Sequence, residues 1–125
     1  MKKIVFSADA PAPIGPYSQA VLIDDTLYCS GQIPLDARSG ALVSGGITQQ
    51  TQKVCENIAA VLGAAGFGFK DVVKTTCFLT SMSDFAGFNK AYEEYFISKP
   101  ARSCAAVKEL PKGAAVEIEV IAVKN

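Results

Sequence analysis

The sequence has no histidine and no tryptophan, and only two of its twelve basic residues, Arg38 and Arg102, are arginine. The absence of histidine removes the Ser/His/Asp and Cys/His nucleophile arrangements, together with the usual zinc ligand sets. Any chemistry must come from carboxylate, hydroxyl, guanidinium, amine or backbone groups, with no metal expected. No CxxC motif occurs: Cys29, Cys55, Cys77 and Cys104 lie more than twenty residues apart in apolar or small-residue surroundings, which reads as buried free thiols in a reducing compartment. No apolar run approaches the roughly 18 residues that would indicate a membrane span. Behind Lys2 and Lys3 stand only Ile4, Val5 and Phe6, short of the about 7 to 15 residues of a signal-peptide core. A soluble, cytoplasmic chain without a membrane partner is expected. An excess of either charge is missing too, since twelve basic and twelve acidic residues cancel and the lysines are scattered. Nucleic-acid binding depends on clustered positive charge that neutralises phosphates, so no nucleic-acid partner is expected.

What is present is one domain's worth of well-punctuated chain. At 125 residues and 13.1 kDa the protein can bury one core and not two, so residues 1–125 read as a single domain. "APAPIGPYSQ" (10–19) holds three prolines and a glycine and predicts an extended segment. Two short strands follow, Ala20 to Ile23 and Thr26 to Ser30, with Asp24-Asp25 as a tight turn. From Ile47 the apolar period becomes three and four through Thr51, Val54, Ile58, Val61/Leu62 and Ala65, while Gln49, Gln50 and Asn57 fall mostly between. That pattern predicts an amphipathic helix ending at Gly66. "DVVKTTCFLTSM" predicts a central strand with Val73, Thr75, Cys77 and Leu79 on one face and Val72, Lys74, Thr76 and Phe78 on the other. Ser83 is placed to cap a second helix, with Phe85, Phe88, Tyr92 and Tyr95/Phe96 inward, until Pro100 stops it.

Two strands close the chain, about Ser103 to Lys108 and Val116 to Val123, with "LPKG" between them as a turn. The result is an α+β fold with two helices on one face of a mixed sheet. The other face carries either Lys74, Thr76 and Phe78 or the glutamates of "VEIEV", depending on which side the helices cover. Such a face of mixed apolar and charged groups is expected to pack against other copies of the chain. If the last two strands form a hairpin about Pro111 and Lys112, Cys104 faces Glu119, Ala106 faces Glu117 and Arg102 faces Ile121. Arg102, Cys104, Glu117 and Glu119 then project from one side, an expectation that a one-residue slip would undo. A surface pair of this kind is worth under about 1 kcal/mol as structure. As a site, it offers a planar cation that matches a carboxylate in two hydrogen bonds, which lysine cannot do.

At these residues the sequence becomes recognisable. "PARSC" followed by "LPKGAAVEIEVIAV" resembles the C-terminal signature of the reactive-intermediate deaminase (RidA/YjgF) family. "APAPIGPYSQA" and "CSGQIPLD" resemble its N-terminal and substrate-loop motifs, and the similarity runs on through "VVKTTCFLTSMSDFAGFNKAYEEYF". The resemblance implies a chorismate-mutase-like fold, a homotrimer with three active sites in the clefts between subunits, and no cofactor. It also implies hydrolysis of 2-imino acids, released by pyridoxal-phosphate dehydratases acting on threonine or serine, to 2-keto acids and ammonia. Arg102 matches the family's carboxylate-binding arginine and Glu117 the glutamate that positions water. Cys104 matches a cleft residue whose backbone contacts ligand, and Tyr17, Ser30, Gly31 and Asn89 match residues lining the cleft. Ala105 stands where a larger aliphatic is usual, and "FISKPARS" is shorter than in many relatives.

The chemistry also follows from the residues themselves. A protonated imine carbon is electrophilic, and its hydrolysis needs one aimed water and proton transfers that a carboxylate can assist. A carboxylate held on Arg102 would fix the distance between water and carbon. Cys104 as a nucleophile lacks a neighbour to lower its pKa. Three other readings compete with the deaminase: a non-catalytic module that binds small carboxylates in the same clefts, an endoribonuclease or translation inhibitor, and a chorismate mutase on fold resemblance alone.

Overall fold

The alternation of "VEIEVIAV" builds the middle of the sheet. In the computed structural model, which describes residues 1–124, Val116, Ile118, Val120 and Ala122 are buried, and Glu117, Glu119, Ile121 and Val123 turn to the other face. This is the period-two pattern of a strand with two unlike faces. The elements in chain order are β1 (Lys2–Val5), β2 (Ala20–Ile23), β3 (Thr26–Gln32), α1 (Ile47–Ala64), β4 (Val72–Leu79), α2 (Phe85–Tyr92), β5 (Ala101–Ala106) and β6 (Val116–Val123). The six strands form one mixed sheet in the order β1-β2-β3-β6-β4-β5, and the two helices pack on one face of it, as the sequence predicts.

The edge strand β1 is absent from the predicted order. "KKIV" carries only two apolar residues, and it becomes a strand by pairing antiparallel with β2. The Asp24-Asp25 turn is as predicted, with Ile23 opposite Thr26 and Asp24 at φ 52°. α1 also ends as predicted. Gly66 takes φ +80°, its amide bonds the Gly63 carbonyl at 3.0 Å, and the Phe67 amide bonds the Leu62 carbonyl at 2.8 Å. That double closure is a Schellman stop, which needs a residue free to adopt positive φ. The second helix is shorter than predicted, with turns carrying the chain on from Tyr92. Ser83 does not cap this helix: the residue at its N-terminus is Asp84, which makes no side-chain capping bond. Ser81 instead caps the short 3-10 turn Met82–Asp84, its hydroxyl accepting from the Ser83 amide at 3.2 Å.

Two α1 residues assigned to the polar side are buried. The Asn57 Nδ2 donates to the carbonyls of Ile33 (3.2 Å) and Leu35 (3.0 Å), and the Gln50 Oε1 accepts from the Ala115 amide (2.9 Å). Periodicity cannot see this role: loop backbone beside the core needs partners, and amide side chains supply them. Both side chains fix segments that flank Gly31 and Glu117.

The predicted hairpin between the last two strands does not form. β5 pairs parallel to β4, while β6 pairs antiparallel to both β3 and β4, so β4 separates β5 from β6. The β4–α2–β5 segment is a strand–helix–strand crossover, which makes its strands parallel neighbours. Residues 107–115 then step over β4 and turn through Lys112 (φ 58°) and Gly113 (φ 73°). In the actual register Thr75 lies opposite both Arg102 and Val120, and Phe78 lies opposite both Ala105 and Glu117. Directly opposed residues share a face. Arg102 is therefore on the helix side with buried Thr75 and Val120, and Glu117 is on the open side. The open face carries Lys74, Thr76 and Phe78 together with both glutamates. An apolar row of Ile4, Val21, Tyr28 and Ile121 also crosses it.

Candidate active site

Glu117 and Glu119 are delivered side by side onto the open face by β6, where they line a cleft of about 410 Å³ with Tyr17, Ser30 and Gly31. Ile14, Ile33 and Pro111 supply its apolar side. The Glu117 side chain lies directly against the Gly31 backbone: a Cβ at position 31 would sit 2.9 Å from the carboxyl carbon and 3.0 Å from Cγ. Glycine at 31 is thus what leaves room for the carboxylate. Partial burial pushes the Glu117 carboxyl above the usual range, and the charge of Glu119 adds to the rise.

The wall bearing Tyr17 is tied down from beneath. The Ser30 Oγ donates to the Ser18 carbonyl at 2.6 Å, and the Ser30 amide bonds the Gln19 carbonyl at 2.9 Å. Buried Gln19 accepts from the Ser7 amide at 2.6 Å and donates to the carbonyls of Ser7 (3.1 Å), Ala10 (3.4 Å) and Pro11 (2.9 Å). The proline-rich segment therefore has a fixed course despite having few amides of its own. Tyr17 is half exposed on it.

Arg102 occupies the helix side of the sheet at the edge strand. Its Nη1 donates to the Asn89 Oδ1 at 2.7 Å. The guanidinium carbon stands 4.9 Å from the ring centroid of Tyr92, 5.6 Å from Phe85 and 5.8 Å from Phe88, within cation–π range. Thr75, directly opposite Arg102, shares a 2.8 Å hydrogen bond with the Tyr92 hydroxyl. The ion pairs among the described residues are Met1 with Asp24 and Lys53 with Glu56, so no carboxylate balances Arg102 there. Cys104 lies two residues further on the same face, opposite Cys77. Burial pushes its thiol up, with Arg102 only partly opposing, and this argues against a thiolate nucleophile. Burial also pushes the Cys29 and Cys77 thiols up to about 12.

The predicted residues therefore fall into two groups. Tyr17, Ser30, Gly31 and Glu117 meet at one cleft, and Asn89, Arg102 and Cys104 meet at the β5 edge, with the thickness of the sheet between Arg102 and Glu117. Sequence reasoning passed over Thr75 and Tyr92, because a threonine inside a strand and an aromatic at helical spacing both read as packing. Among the described residues, no group of three His, Cys, Asp or Glu is placed to hold a metal ion, and no helix is long and apolar enough to cross a membrane.

Comparison with known proteins adds to this geometry. The Endoribonuclease L-PSP family matches residues 7–124. A RutC family protein of Pyrococcus horikoshii is 50% identical over the full length of both chains. A protein of Bos taurus named 2-iminobutanoate/2-iminopropanoate deaminase is 50% identical over 100% of this chain and 92% of its own. Among solved structures, Escherichia coli TdcF with bound serine superposes with a TM-score of 0.94 at 38% identity, covering 98% of this chain and 99% of that one. A RidA from an Antarctic Psychrobacter gives 0.93 at 41% identity over the same shares. On this similarity along nearly its whole length, the chain belongs to the Endoribonuclease L-PSP family, the RidA/YjgF family that its motifs resemble.

Proposed function

We propose that this chain hydrolyses small 2-imino acids, such as 2-iminobutanoate and 2-iminopropanoate, to 2-keto acids and ammonia, and that each active site is assembled between two copies of a homotrimer. The observation that carries the proposal is the split site. Among the described residues, Arg102 is a partly buried cation with no carboxylate partner and Glu117 a partly buried carboxylate with no cation, on opposite faces of one sheet. Each half lacks the charge that the other holds, and a neighbouring copy supplies it. The mixed apolar and charged open face, with Tyr28 and Ile4 exposed, gives such copies a surface to pack on. The names of the mammalian relatives agree with the reaction.

In this mechanism Arg102 binds the substrate carboxylate through paired hydrogen bonds and so fixes the imine carbon over the opposing half-site. Glu117 of the adjoining copy accepts a proton from a water as its oxygen attacks that carbon, which forms a carbinolamine. Glu117 passes that proton to the nitrogen and then takes the carbinolamine's hydroxyl proton as the carbonyl closes and ammonia leaves. This last proton departs with the ammonia as ammonium. The raised pKa of Glu117 brings it nearer neutrality and suits these transfers. Tyr17 and Ile14 cover the cleft, and Gly31 presents its backbone to the ligand. The chain's balanced charge and scattered lysines offer no track for an RNA backbone, which favours imine hydrolysis over the nuclease in the family's description. The test is formation of 2-keto acid from 2-iminobutanoate generated in situ by a threonine dehydratase. Wild type should exceed the spontaneous rate, and folded Arg102→Ala and Glu117→Ala should fall to it. A wild type at the spontaneous rate for every small 2-imino acid would refute the proposal.

A further inference from the structure

We infer that Asn89 and the aromatic residues of α2 are positioning residues that hold Arg102 in place without neutralising it, leaving its charge for a ligand carboxylate. This deepens the proposed function and rests on it.

An arginine at a strand edge has four rotatable side-chain bonds and no inherent direction. Immobilising it through a carboxylate would be simplest, yet an internal ion pair would occupy the fork that a ligand needs and cancel the charge that attracts it. The anchors here are neutral. Asn89 takes one Nη1 hydrogen with its amide oxygen at 2.7 Å, and the Nε and Nη2 groups make no hydrogen bond among the described residues. The Tyr92 ring lies 4.9 Å from the guanidinium carbon, and that ring is itself immobile. It stacks on Phe96 at 4.3 Å, packs against Phe88 at 5.4 Å, and its hydroxyl is bound to Thr75 in the buried layer. Ring faces attract a cation through their quadrupole and do not compete with an anion for its N–H groups. Asparagine differs from aspartate by an NH2 group in place of one oxygen, and at this position that exchange separates a free cation from a closed salt bridge.

The test is binding of 2-oxobutanoate, a stable carboxylate, measured by calorimetry on the intact assembly, with thermal melting alongside. Asn89→Asp should weaken binding about a hundredfold or more while its melting temperature stays level or rises, because a bidentate internal pair would form in place of the ligand's. Asn89→Ala should weaken binding about tenfold through loss of orientation alone, the cost of a misplaced contact group. Tyr92→Leu should lose more affinity than Tyr92→Phe, which keeps the ring face. A purely structural Asn89 would give the opposite: Asn89→Asp and Asn89→Ala both binding as wild type, which overturns the inference. Should Asn89→Asp not fold, Asn89→Ala decides alone, with unchanged affinity overturning and tenfold weakening supporting. If Arg102→Ala itself binds 2-oxobutanoate as wild type does, the carboxylate-clamp reading fails first and takes this inference with it.

Discussion

Replacing Gly31 by alanine adds one methyl group in the space that the Glu117 side chain occupies. The new Cβ would lie 2.9 Å from the Glu117 carboxyl carbon and 3.0 Å from Cγ, whereas carbon atoms rest at about 3.5–4.0 Å. The carboxylate, whose Oε2 is the atom nearest to that Cβ, must therefore retreat by roughly 1 Å. Gly31 is not among the positive-φ residues, so alanine fits the backbone, and the obstructing group is the movable end of a side chain. Stability should change by less than about 1 kcal/mol. Catalysis should suffer far more, because a displacement of about 1 Å in a reacting group costs roughly a hundredfold. The assay is kcat/KM for 2-iminobutanoate in wild type, Gly31→Ala, Glu117→Gln and the double variant, with a thermal melt of each. A loss of about ten- to a hundredfold is expected in the wild-type background and almost none in the Glu117→Gln background, since the methyl group acts through the carboxylate. Full activity in Gly31→Ala, or an equal loss in both backgrounds, would refute the reasoning.

Arg102→Lys keeps the charge but loses the planar fork and its fit to the rings of α2. With about 1.5–3 kcal/mol at stake for a charge-assisted hydrogen bond, KM for 2-iminobutanoate should rise at least about tenfold in steady-state assays. The acid limb of the pH–rate profile should move to lower pH in Glu119→Gln, because Glu119 is one cause of the raised Glu117 pKa. A neighbouring copy's arginine would lower the starting value without changing that direction. In folding, the raised Glu117 pKa means a contribution present at low pH and lost as pH rises through the folded-state value, so denaturant melts of wild type and Glu117→Gln should differ most above it. Gln19→Ala leaves the buried Ser7 amide and its neighbouring carbonyls unpaired. Chemical denaturation should show a loss of about 2–4 kcal/mol, with faster proteolysis of the segment at Pro11–Pro16.

Much of the fold was legible because local chemistry and global packing agree. The step to a period of three and four at Ile47, the glycine stop at Gly66 and the alternation of "VEIEVIAV" each point to one structure. The last strand pair was misread because adjacency in sequence was taken for adjacency in the sheet, although a helix between β4 and β5 makes those two the natural parallel neighbours. That difference moved Arg102 to the opposite face from Glu117. Gln50 and Asn57 were misplaced because amides that satisfy loop backbone look polar in any periodic reading. The candidate site residues were found mainly by family resemblance. The Thr75–Tyr92 support under Arg102 escaped detection because its partners are 17 residues apart and neither carries an unusual pattern.

The central claim is that one copy's Arg102 works with another copy's Glu117. Arg102→Ala and Glu117→Ala should each be inactive alone. Mixed in equal amounts, unfolded and refolded together, they should regain activity, since every mixed ring of three then contains one interface with both groups intact. Random assembly restores about a quarter of the sites in a closed heterologous trimer. Recovery near that fraction of wild-type 2-iminobutanoate hydrolysis is the predicted result. Mixtures that assemble with no activity above the spontaneous rate, beside an active wild type refolded in the same way, would contradict it.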